Sequence, residues 1–254
     1  MQTTEILQSL FRWIHVVAGI LWIGLLYFFN WVNSAFAPTM DGDTKKKVVP
    51  QLMPRALFWF RWGAAWTWFT GILLLLLVFY HGGILFEGAA QHWTPPTFVM
   101  IAVTLLGFLV YDAIMKTLGA KNLKAAVVVF FLMIAGIVYL EFFWAGWSYR
   151  AVNIHVGGLF GTIMAFNVWF RIWPSQRKII TAVRDGQAPD PAVVALAGLR
   201  SKQNTYMSVP LVWTMLNAHT FWAASYWWSV LVAIALGWFV TSHLFKKAPK
   251  VPGF

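Results

Sequence analysis

Residues 125–147 read AAVVVFFLMIAGIVYLEFFWAGW, an apolar run interrupted by a single carboxylate, Glu141. At about 1.5 Å per residue, a helix of this length exceeds the roughly 30 Å hydrocarbon core of a bilayer. Six further runs of similar character occupy 11–35, 56–80, 97–115, 150–173, 205–225 and 227–244. The reading is an all-α polytopic transmembrane helix bundle of about seven spans, forming one integral-membrane domain over 1–254. Composition agrees, with 60% apolar residues and 11% charged ones, too few charges to cover a water-facing surface. A soluble fold is excluded. Spans four and five meet at Trp147-Ser148-Tyr149, and spans six and seven are separated by about as little, so each pair is expected to form a tight antiparallel hairpin.

The net charge of +11 first suggests a nucleic-acid partner. Its distribution argues otherwise. Every one of the 19 basic residues except Arg12 and Arg150 falls in, or next to, the first, third and fifth connections or the C-terminal tail. Lys and Arg are retained on the cytoplasmic side during insertion, so the N terminus is expected outside and the C terminus inside, as in a bacterial inner membrane. The basic residues are then topology signals and contacts for anionic lipid headgroups, and no nucleic acid is expected. Ala35-Phe36-Ala37 resembles a cleavage site, but the preceding span is too long for a signal peptide and lacks a basic start. The segment 174–204 is read as a cytoplasmic amphipathic loop with a turn cluster at 185–191.

Ionisable groups inside spans are costly and mark function by default. His15, His155 and His219 lie four or five residues from the outer ends of three different spans, within roughly 10 Å of the outer boundary. His81 and His92 also fall on the outer side, while His243 is at the inner edge. Imidazoles from facing helices are the usual axial ligands of a b-type haem, so these three are candidate metal ligands for one or two haems b. Gly19 and Gly158 follow His15 and His155 on the same helix faces, where they would leave room for a flat macrocycle. With no cysteine, the chain cannot attach haem covalently through a thioether or ligate a metal with thiolate.

Small residues at this spacing also serve tight helix packing, and a single such histidine is more often a hydrogen-bonding group. Glu141 lies at a depth similar to the histidines and is the candidate proton carrier. Arg12 and Arg150 are candidates to pair with it, or to hold haem propionates or an anionic substrate. Asp112 is expected to pair with Lys116, one turn away. Asn153, Thr162, Asn167 and Asn217 are read as interhelical hydrogen-bonding groups, and Pro210 as a kink that opens space toward His219.

Two stretches carry a resemblance. RAVNIHVGGLFGTIMAFNV at 150–168 with PSQRK at 174–178, and RSKQNTYMSVP at 200–210 closed by His219, are similar to the membrane-bound urate oxidase (urate hydroxylase) family. Trp13-Ile14-His15 extends the similarity over nearly the whole chain. The family pattern has His where Gln203 stands and Asn where Ala218 stands. Membership implies a urate-oxidase-like oxidoreductase acting on a small anionic substrate such as urate. Family members often append an extracytoplasmic cytochrome c domain; here a separate cytochrome c or redox subunit is expected to take the electrons. Two other readings stand beside it: a non-catalytic membrane subunit of a respiratory or photosynthetic complex, and a proton-coupled transporter using His and Glu.

Overall fold

In a computed structural model, residues 2–88, 93–217, 222 and 224–253 are described. They are helical almost throughout, with one isolated bridge between Phe86 and Trp147. The helices are α1 (Thr3–Thr39), α2 (Gly42–Tyr80), α3 (Pro95–Lys121), α4 (Leu123–Phe143), α5 (Tyr149–Arg184), α6 (Pro191–Asn217) and α7 (Ser229–Lys250). Among the described residues six of the seven, all but α6, are long and apolar enough to cross a membrane, as an integral membrane protein requires. Three contain π-helical stretches: Phe28–Asn33 in α1, Leu75–Tyr80 in α2 and Val168–Ile172 in α5.

The segment 174–204 is helical on both sides of its turn cluster: α5 continues to Arg184, α6 begins at Pro191, and only 185–190 is non-helical. Arg184 closes α5 by donating to Asp185 at 2.8 Å, which holds the Asp185 carboxyl below the usual carboxylate range. The sixth helix begins well before the expected span, at Pro191, and is described as far as Asn217; the described residues among 222–228 form turns or irregular backbone. The reason is visible at both ends. Trp222, Tyr226, Trp227 and Trp228 are the residue types that settle at bilayer interfaces. The polar stretch after Arg200 is held helical because its side chains find partners, described below.

The chain divides into two compact units. The first comprises Met1–Gln8, Ile72–Ile163 and Val209–Gly237. Its core is apolar: Val152, Val156, Phe160 and Ile163 of α5, Met100 and Tyr111 of α3, and Phe130, Ile134 and Val138 of α4 are all buried. Small residues set the close approaches. Gly157 of α5 faces Thr214 of α6, and Gly237 of α7 receives the ring of Pro210 at 2.9 Å from where a Cβ would stand. Pro210 is thus packed against α7. The expected Asp112–Lys116 pair forms at 2.9 Å.

The second unit comprises Ser9–Gly71, Met164–Ser208 and Trp238–Phe254. A seam of buried polar side chains joins its helices. Asn167 donates to Asn204 at 2.9 Å, Asn204 donates to the Met164 carbonyl at 2.9 Å, Asn30 donates to Ser201 at 2.8 Å, and Ser208 meets the Tyr27 hydroxyl at 3.1 Å. Polar groups in hydrocarbon are tolerated when satisfied across helices, which is why 200–208 stays helical despite its composition. Trp169 donates its indole N–H to the Arg61 carbonyl at 3.1 Å, and the Arg61 guanidinium lies 4.0 Å over the Trp173 ring.

Candidate functional site

The turn between α4 and α5 builds the site in the first unit. Gly146 adopts φ +66°, a left-handed conformation that a side chain would strain, and this reverses the chain so that Trp147 points back into the unit. Ser148 caps α5: its hydroxyl accepts from the Ala151 N–H at 3.1 Å and donates to the Ile84 carbonyl at 3.0 Å, while its N–H donates to the Leu85 carbonyl at 2.9 Å. The chain at 84–86 is thereby fastened across the start of α5, with Leu85 and Phe86 buried.

Beneath this strap, His155 is wholly buried. Its Nδ1 lies 2.7 Å from the Ala151 carbonyl, which only accepts, so Nδ1 carries the proton. Nε2 therefore presents a lone pair, and the Tyr80 hydroxyl donates to it at 3.0 Å. The Trp147 ring covers the imidazole with centroids 4.3 Å apart, and Phe79 meets it edge-on at 6.0 Å. Glu141 is also wholly buried. Neither of its carboxylate oxygens has a hydrogen-bond partner, nor has the buried Trp147 indole N–H. A buried polar group without a partner is costly, and inside a membrane helix such a group marks a candidate functional site.

The other predicted residues fall elsewhere. His15 belongs to the second unit, half-buried, with Nδ1 3.2 Å from the Thr70 hydroxyl. Thr70 gives its own hydrogen to the Trp66 carbonyl at 2.6 Å, so it receives the His15 N–H. The His15 ring packs on Gly71, 3.1 Å from where a Cβ would stand. His219 and Ala218 lie outside the described residues, as does His92. Arg12 is exposed and Arg150 half-buried; the hydrogen-bonded pairing of Glu141 with an arginine is not formed. His81 and His243 are exposed. Asn217 makes its expected interhelical bond, to the Tyr149 hydroxyl at 2.6 Å, whereas Asn153 turns back onto its own helix at the Tyr149 carbonyl.

A haem ligand at His155 would use Nε2, where Tyr80 donates in this structure, and the expected partner ligand His219 lies outside the described residues. Both ring nitrogens are engaged within the protein, Nε2 by Tyr80. A Cβ at Gly158 would stand 3.3 Å from the Thr104 methyl, and one at Gly19 would stand 3.7 Å from the Thr67 methyl. Among the described residues no group of three His, Asp or Glu side chains converges on a metal-sized site. Tyr80 is the member of the centre that sequence reasoning missed. Its place, last in an apolar run before His81-Gly82-Gly83, is where interfacial tyrosines ordinarily stand.

Fold and site define a polytopic helical membrane protein with a buried Glu, Tyr and His centre. A family model described as urate oxidase N-terminal matches residues 40–251. The chain belongs to the urate oxidase N-terminal family, and the stretches that carried the resemblance fall inside the matched span. No curated protein and no solved structure matches it.

Proposed function

We propose that this chain is a membrane oxidoreductase of urate-oxidase type, oxidising a small anionic heterocycle such as urate at the Glu141, Tyr80 and His155 centre. The observation that carries the reading is Glu141, a fully buried carboxylate with both oxygens unpartnered beside a hydrogen-bonded Tyr–His pair. Such a group is placed to take a proton from a substrate as its electrons leave. Arg150, in the first turn of α5, supplies positive charge for an anion. The helix ends near this centre are those without Lys or Arg in their loops, which supports an extracytoplasmic placement and delivery of electrons to a cytochrome c there. The chain would sit in a bacterial inner membrane.

The test is urate consumption by the purified full chain in detergent or nanodiscs, with ferricytochrome c as acceptor and cytochrome reduction followed alongside. Turnover that Glu141→Gln lowers by about 10²–10⁴-fold is the expected result, the range for loss of a positioned acid or base. No turnover by a folded chain, with stable capture of a c-type cytochrome, would favour the non-catalytic subunit. Urate uptake into vesicles without oxidation would favour the transporter.

A further inference from the structure

We propose that Tyr80 is a redox-active tyrosine whose phenol proton moves to His155 Nε2 as its electron leaves, and that Trp93 conducts that electron to the protein surface. This rests on the oxidoreductase reading but not on the identity of the substrate. The direction of the hydrogen bond is fixed by the backbone. Because the Ala151 carbonyl takes the Nδ1 proton at 2.7 Å, Nε2 has only a lone pair to offer, and the Tyr80 hydroxyl donates to it at 3.0 Å. A phenol gives up an electron readily only if its proton departs with it, since the oxidised phenol is a very strong acid. Here the accepting base is already in hydrogen-bond contact.

The surroundings suit the charge that results. Oxidation leaves a neutral tyrosyl radical and an imidazolium, and Glu141 is the unpartnered buried carboxylate electrostatically coupled to Tyr80. The route outward is aromatic. The Tyr80 and Trp93 rings stand 6.1 Å apart, and Trp93 is 39% exposed. Phe86 and Phe98 flank Trp93 at 6.0 and 5.6 Å. Phenyl rings are far harder to oxidise than indole, so they hold Trp93 in place without competing for the electron.

The step balances as follows. Tyr80 loses one electron through Trp93 to an external one-electron acceptor of the ferric type, and its O–H bond breaks as an N–H bond forms at His155 Nε2. The reduced substrate then returns one electron to the radical, and the proton moves back from His155 to the phenol. Two such rounds remove two electrons from one substrate molecule.

The test needs no substrate. The purified full chain in detergent is photo-oxidised with a ruthenium tris-bipyridine sensitiser and a cobalt(III) quencher, frozen and examined by electron paramagnetic resonance. A neutral tyrosyl signal is expected that is lost in Tyr80→Phe, falls sharply in His155→Gln and forms more slowly in heavy water. Trp93→Phe is expected to keep the signal under direct photo-oxidation but to slow oxidation by ferricyanide about tenfold. A signal of equal yield in Tyr80→Phe, or no tyrosyl signal in the wild type, would overturn the proposal. Should Tyr80→Phe fail to fold, 3,5-difluorotyrosine at position 80 serves instead, and an unaltered spectrum overturns it equally. Failure here leaves the urate assay standing, and failure of urate turnover leaves the radical measurement standing.

Discussion

His155 and His15 are the same residue type at equal sequence depth, yet their surroundings assign them different work. His155 is wholly buried, with its lone pair given to Tyr80 and a bare carboxylate close by. His15 is half-buried, donates to a threonine that is itself satisfied by its own helix, and rests on a glycine. The first is held among groups that can exchange a proton. The second ties two helices together. Sequence depth locates ionisable groups in a membrane helix, but only the neighbouring helix decides whether such a group is chemical or structural.

That contrast can be broken by substitution, and the largest effect is expected at Glu141. Glu141→Gln should lower turnover about 10²–10⁴-fold, while Glu141→Leu, which removes a buried polar group without a partner, should raise the thermal midpoint in detergent. A fall in both would make Glu141 structural. Tyr80→Phe should lower turnover by a comparable factor, since the phenol hydrogen-bonded to His155 is the group through which each electron leaves.

In the second unit the order of effects inverts. Asn204→Leu leaves the Met164 carbonyl and the Asn167 amide without their partner and should cost about 1–2 kcal/mol in stability, with turnover per folded molecule unchanged. Thr70→Val removes the acceptor of His15 and should cost only about 0.6 kcal/mol, the average for interhelical hydrogen bonds in membranes. The smallest effect is spectroscopic. Reduced-minus-oxidised visible spectra of wild type and His155→Ala should coincide, because Nε2 is already taken; a b-type band that disappears with His155 would reassign the residue to haem.

Much of this was legible in the chain. The run at 125–147 and its companions give the membrane helices, because length and apolarity alone decide them. Glu141 and His155 were visible as ionisable residues at depth. Tyr80 was not, because tyrosine at the end of an apolar run is ordinary, and its partner lies 75 positions further along the chain. At Gly19 and Gly158, space for a macrocycle and space for a neighbouring methyl group call for the same absent side chain, so residue identity alone does not separate the two uses. The start of α6 was missed because a hydropathy run cannot register that Asn167 and Asn204 satisfy each other.

The π-helical stretch Leu75–Tyr80 ends on the residue that reaches His155. A π turn holds an extra residue relative to an α turn, and each residue of an α-helix advances the side chain by about 100°. The centre therefore depends on a phase offset as well as on residue identity. Rewinding 75–80 as a plain α-helix with the same residues would swing the phenol more than a quarter-turn out of line with the imidazole, whereas deleting one residue within 75–79 as the winding becomes regular would restore its direction. A homologue with every named side chain but a plain α-helix at this point would preserve the bundle and lose the pair.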